Sequence, residues 1–113
     1  MSFLSQLFQS KSNINQISAS SLKQLMENKA KIKVIDVRTK QEYNQGHISK
    51  SFNIDVFSSD FESQCESKFS LDDTIILCCR SGQRSSGAAK KLEKSGFTSL
   101  HNLKGGMIAW SRL

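Results

Sequence analysis

The residues best suited to chemistry stand together as Cys79-Arg80-Ser81-Gly82-Gln83-Arg84-Ser85. They follow the most apolar run of the chain, TIILCC at 74–79, and lead into helical patterning over 83–95. In an α/β sheet, the carboxyl end of a strand is where ligands bind. A helix starting there aims its free N–H groups and the positive end of its dipole at the loop, which favours negative charge. Thiols at such places have pKa values lowered to about 3.5–7.5. Arg80 and Arg84 add two fixed positive charges. Gly82 allows a turn with positive φ, so successive N–H groups can curl around an anion as a nest. A strand-end cysteine by itself reads as structural filling. Arginine, glycine and arginine at these offsets ahead of a helix point instead to a reactive thiolate in an electropositive cradle.

The rest of the chain supplies the elements that must hold this loop. Residues 14–17 read as a short strand. Ser18 can cap a helix with Leu22, Leu25 and Met26 on one face. IKVIDV at 32–37 is a strand carrying the carboxylate Asp36. Thr39 and Glu42 have capping-box spacing, which places a short helix over 40–45 with Gly46 as its stop. A brief strand is expected at 51–54, then a helix over 56–67 holding Val56, Phe57, Phe61 and Cys65. Asp72-Asp73 make a polar turn before the buried strand at 74–79. The helix over 83–95 ends at Gly96, a last strand covers 98–103, and a closing helix runs from Met107 to Leu113. Short apolar runs alternating with amphipathic stretches are the pattern of an α/β domain with a mostly parallel sheet. The 113 residues suit one such domain, with 1–13 as an N-terminal extension and 14–113 as the domain.

Composition narrows the function. The formal net charge is +6, but the lysines are dispersed. Small groups at Lys29/Lys31/Lys33 and Lys90/Lys91/Lys94 read as solvated faces, without interleaved aromatic residues to stack on bases. No nucleic-acid partner is expected, and the basic surface suits steering of a small anion. Three cysteines, two of them adjacent, do not form a disulfide framework. There is no C-x-x-C pair, and His47 and His101 are far from the cysteines in sequence, so no metal is implied. Free thiols suit a reducing compartment, most simply the cytoplasm. No run approaches the roughly 18 apolar residues of a membrane span. MSFLSQLFQS lacks the basic region and apolar core of a signal peptide. Phe3, Leu4, Leu7 and Phe8 fall on one helical stripe, which suits packing on the domain or docking to a surface. With no other surplus apolar stripe, a monomer is expected.

The loop Cys-Arg-Ser-Gly-x-Arg-Ser at 79–85 resembles the active-site loop of the rhodanese family. Asp36-Val37-Arg38, Glu42-Tyr43, Gly46-His47-Ile48 and Asn53-Ile54 resemble the family's upstream signature. Gly105-Gly106-Met107-Ile108-Ala109-Trp110 resembles its closing Gly-Gly-x-x-x-Trp segment. Two positions depart from the pattern: Ser49-Lys50-Ser51 stands where a Pro-Gly-Ala type of turn is frequent, and Cys78 where an aromatic or aliphatic residue precedes the nucleophile. The resemblance implies a three-layer α/β domain, with a mostly parallel sheet of about five strands and helices on both faces. It also implies a thiosulfate sulfurtransferase. In that reading Cys79 takes sulfane sulfur from thiosulfate or a related persulfide donor and passes it to a thiol or cyanide by double displacement. Arg80, Ser81, Gly82, Gln83 and Arg84 would form the binding loop, with their N–H groups on the persulfide and Arg80 on the donor's sulfonate-like end. Arg84 could instead pin the loop to a carboxylate such as Asp36. Arg38 would line the mouth or lie on the surface. Asp36 and His47 read as structural, and Tyr43 and Trp110 as packed on the core. No cofactor is implied. The partners implied are a small anionic sulfur donor and a thiol acceptor, with a cysteine desulfurase or another sulfur-relay protein as a further option.

Two other readings compete. Counted from Cys78, five residues precede Arg84, the spacing of phosphatase-type or arsenate-reductase-type loops. Against it, Cys78 should point to the other face of its strand from Cys79, and from Cys79 the loop is one residue too short. The non-enzymatic alternative is a sulfur carrier, an interaction module, or a redox sensor in which Cys78 or Cys65 resolves an oxidised Cys79.

Overall fold

The computed structural model describes residues 14–113. The apolar stripe at Phe3 to Phe8 lies outside the described residues. Five strands form one sheet: β1 (Ile14–Ile17), β2 (Lys33–Asp36), β3 (Phe52–Asn53), β4 (Thr74–Cys78) and β5 (Ser99–Leu103). Their order is β1-β5-β4-β2-β3, and every adjacent pair is parallel. The helices are α1 (Ala19–Glu27), α2 (Lys40–Asn44), α3 (Phe61–Lys68), α4 (Gln83–Lys94) and α5 (Gly106–Trp110). No helix among the described residues is long and apolar enough to cross a membrane.

Alternation along the central strands builds two cores. Ile35, Ile75, Leu77 and Leu100 face Phe61 and Cys65 of α3 and Ala88, Ala89 and Leu92 of α4. Val34, Ile76 and Leu103 face Ala19 and Leu22 of α1 and the half-buried Met107 and Trp110 of α5. A strand buried on both faces reads as a continuous apolar run, which is why TIILC carries no period-two pattern.

The local start signals operate as expected. The Ser18 hydroxyl accepts from the Ser21 N–H at 3.1 Å, capping α1. Thr39 and Glu42 form both halves of a capping box on α2. The helix expected over 56–67 is shorter and begins only at Phe61. Asp55 turns the chain first: its carboxylate accepts from the Phe57 N–H at 2.9 Å and its carbonyl from the Ser58 N–H at 3.0 Å. Phe57 is left 75% exposed, whereas Val56 is buried. The closing helix is also shorter than expected, ending at Trp110. At the turn where a glycine is frequent in the family pattern, Lys50 takes φ +64°. Tyr43 steadies that turn, donating from its hydroxyl to the Ser51 carbonyl at 2.7 Å and stacking on His47 with ring centroids 3.7 Å apart.

Candidate active site

Cys79 follows β4 at the carboxyl edge of the sheet, and α4 begins four residues later. The N-cap of α4 is Gly82, at φ +105°, and it has no side chain to satisfy the first N–H groups of the helix. The sulfur of Cys79 takes that place. It accepts from the Gly82 N–H at 3.1 Å, the Ser85 N–H at 3.4 Å and the Ser85 hydroxyl at 3.3 Å. Burial alone would push this thiol up. The hydrogen bonds from the Ser85 hydroxyl and from the N–H groups of Ser85, Gly82 and Ser81 outweigh it and hold the thiol below the ordinary cysteine value. A Cβ on Gly82 would meet only ordinary contacts, so glycine is needed there for its backbone angle, not for space.

The back of the loop is held from α5. The N–H groups of Met107 and Ile108 donate to the carbonyls of Cys79 and Arg80 at 2.8 and 3.1 Å. With those carbonyls turned outward, the following N–H groups are free to face the sulfur. The helix can approach this closely because residue 106 is glycine: a Cβ there would collide with the carbonyl oxygens of Cys79 and Arg80. The Gly-Gly-x-x-x-Trp segment thus braces the loop from behind.

The other thiols sit in different surroundings. Cys78 is fully buried on the opposite face, in the α1/α5 core, and burial raises its thiol strongly. It therefore does not stand at the head of a phosphatase-type loop, and the spacing counted from Cys78 has no counterpart in space. Cys65, fully buried on α3, is pushed up to about 12 by burial.

Of the three arginines around the loop, two are committed to carboxylates. Arg84 meets Glu42 in a two-pronged pair at 2.8 and 2.9 Å. This corrects the expectation of a link to Asp36. Asp36 is in register with Cys78 and shares its face, whereas α4 packs on the other side of the sheet. The Arg84 hydrogen bonds hold the Glu42 carboxyl at about 2. Asp36, fully buried, takes Arg38 instead, at 2.7 Å between Nη2 and Oδ2. Arg38 also donates to the Gly46 carbonyl at 2.7 Å. Arg38 is not a plain surface residue. With Glu42, Gln45, Gly46 and Arg80 it lines a cleft of about 400 Å³. Arg80 is exposed and makes no ion pair among the described residues, so its charge is free for an incoming anion.

The sequence reading quoted Ser85 within the loop without giving it a role, and it missed Asn102 altogether. Ser85 closes the loop motif, and its hydroxyl, the residue fully buried, reaches the sulfur. Asn102 of β5, 4% exposed, accepts from that hydroxyl and donates from Nδ2 to the Gly82 carbonyl and to Gln16 Oε1, both at 3.2 Å. Gln83 opens α4 and, with Ser81, Gly82 and Asn102, lines a second cleft beside the loop.

Known proteins resemble this chain in sequence and in fold. Residues 18–113 match the family model described as the rhodanese-like domain. The chain is 36% identical over 87 residues to "Thiosulfate sulfurtransferase 16, chloroplastic" of Arabidopsis thaliana, covering 69% of this chain and 72% of that protein. It is 31% identical over 99 residues to a protein named "Sulfurtransferase" from Allochromatium vinosum, covering 88% and 90%. The fold superposes on the rhodanese-like domain from Anabaena sp. with a TM-score of 0.80 at 28% identity, covering 86% of this chain and 73% of that one. With its domain model, its relatives and its five-stranded parallel sheet in agreement, the chain belongs to the rhodanese family.

Proposed function

We propose that this protein is a sulfurtransferase that carries sulfane sulfur as a persulfide on Cys79. The observation that carries the reading is the Cys79 sulfur, held as the cap of α4 by N–H and O–H donors. Such donors stabilise a thiolate, and they can follow negative charge onto a sulfur bound to it. With thiosulfate as donor, the thiolate attacks the outer sulfur. A Cys79–S bond forms, the S–S bond of thiosulfate breaks, and sulfite leaves with the electron pair. An acceptor thiolate or cyanide then attacks the outer sulfur, and the Cys79 thiolate departs, ready for the next cycle. No general base is needed when the resting group is already a thiolate. Arg80 supplies the free cationic contact for the donor's sulfonate end. A related persulfide donor and a sulfur-relay protein as acceptor fit the same chemistry. The names of the Arabidopsis and Allochromatium relatives support the reaction class, and a reducing compartment such as the cytoplasm suits a thiolate that must stay free.

The test is intact-mass spectrometry of reduced protein incubated with thiosulfate, beside Cys79→Ser and Cys78→Ser. Wild type and Cys78→Ser should gain the mass of one sulfur and lose it to cyanide, and Cys79→Ser should gain none. Absence of loading in every variant, or a label that follows Cys78, would overturn the proposal.

A further inference from the structure

The Ser85 hydroxyl lies between two acceptors. Its oxygen is 2.5 Å from Asn102 Oδ1 and 3.3 Å from the Cys79 sulfur. A hydroxyl has one proton to donate. The orientation of Asn102 is not arbitrary, because its Nδ2 points at two acceptors, the Gly82 carbonyl and Gln16 Oε1. Flipping the amide would set its oxygen against the Gly82 carbonyl, which can only accept, so Oδ1 faces Ser85. Strand register places the residue there: Asn102 pairs with Leu77 on one side and Gln16 on the other. That puts it on the face of the sheet that Leu77 shares with Cys79. Ser85, Asn102 and Cys79 are all buried, so bulk water does not compete for the proton.

We propose that Asn102 is a positioning residue for Cys79, acting through the Ser85 hydroxyl, whose single proton it shares with the sulfur. The proposal rests on Cys79 being the nucleophile of the site. When charge sits on the Cys79 sulfur, the hydroxyl is drawn toward it. When that charge moves outward or is lost, the proton turns back to Asn102 without leaving a buried donor unpaired. Asn102 thereby keeps the hydroxyl from adding a full hydrogen bond to those the N–H groups already give the thiolate. A less fully hydrogen-bonded thiolate is more basic and more nucleophilic, with a Brønsted slope of about 0.4–0.5.

Removing the Asn102 acceptor should hand the proton wholly to sulfur. The pH midpoint of Cys79 alkylation by iodoacetamide should then fall by about one pH unit, and the plateau rate by about threefold. Among the described residues, the charged groups around the loop are Arg80 itself, Arg84 on α4, Glu42 on α2, Asp36 at the end of β2 with Arg38 just beyond it, Asp55 beyond β3 and Lys104 after β5. All are present in every variant, so the shift reads the hydroxyl. The full chain is alkylated across pH as wild type, Asn102→Ala, Asn102→Leu, Ser85→Ala and the two double variants. Leucine fills the space that alanine opens, which keeps the test usable where a cavity would unfold the protein. A downward shift that disappears in the Ser85→Ala background supports the proposal. An upward shift, or the same shift with and without the hydroxyl, overturns it, because Asn102 would then act only through the Gly82 carbonyl and the loop backbone. Wild type gives a further readout: the Asn102 side-chain carbonyl resonance should titrate with Cys79 and stay flat in Ser85→Ala, and a flat wild-type signal also overturns the proposal. Alkylation needs no sulfur donor, so failure of this coupling and failure of sulfur loading are separate results.

Discussion

Glu42 is the hinge of the strongest prediction. One carboxylate closes the capping box of α2 and grips Arg84 of α4, linking two elements 42 positions apart in sequence. Glu42→Gln keeps an oxygen for the cap, since glutamine serves in a capping box, and removes the charge that meets Arg84. A carboxyl drawn from 4.5 to about 2 would carry about 3 kcal/mol if fully shielded from water. The Glu42 and Arg84 side chains leave 32% and 25% of their surface in solvent, and screening reduces the effect to about 1 kcal/mol. The folded-state carboxyl is depressed, so its contribution is complete above 4.5 and is lost as pH falls toward about 2. At pH 7 the variant should unfold at a urea concentration lower by about 1 M, followed by the fluorescence of the single tryptophan, Trp110. At pH 2.5 wild type and variant should nearly coincide, because most of the wild-type advantage has been titrated away. A gap that is the same at pH 7 and pH 2.5, or no gap at pH 7, would refute the reasoning.

Three further outcomes can be checked directly. Gly106→Ala should destabilise the fold by about 2 kcal/mol or more and slow Cys79 alkylation, because the new methyl group meets the carbonyls of Cys79 and Arg80; urea unfolding and peptide mass mapping read the two effects. Lys50→Gly should raise stability by up to about 1 kcal/mol, because glycine adopts the φ of +64° without the cost a side chain bears there. In native protein near pH 7, iodoacetamide should label Cys79 well ahead of Cys65 and Cys78, whose thiols burial raises; in urea the preference should collapse.

The loop was legible in the sequence because its determinants are local. Cys79, Gly82 and the start of α4 lie within a few residues, and the thiol, the turn and the helix N-terminus each follow from neighbouring residue types. The parallel sheet was legible from the alternation of apolar runs and amphipathic stretches. Contacts that depend on which face of the sheet an element covers were hidden. Asp36 and Glu42 are both plausible partners for Arg84 on paper, and only the packing of α4 on the Cys79 face chooses between them. Asn102 looks like any polar residue in a strand until register sets it against Gln16 and Leu77. The start of α3 was placed too early because Val56 and Phe57 continue a helical spacing, whereas the Asp55 carboxylate stabilises a turn that the spacing does not record.

Cys78 and Cys79 are neighbours in the chain yet belong to different rooms. The strand sends one thiol into the core under α1 and α5 and the other toward α3 and α4, so the plane of the sheet is a partition between them. A pair that looks like a ready redox couple on paper is wired as two separate circuits. On the proposed function, a sulfur atom parked on Cys79 would find no exit through the adjacent thiol. Its residence time would then be governed by what arrives from outside, with the sheet as the wall of a storage compartment with a single door.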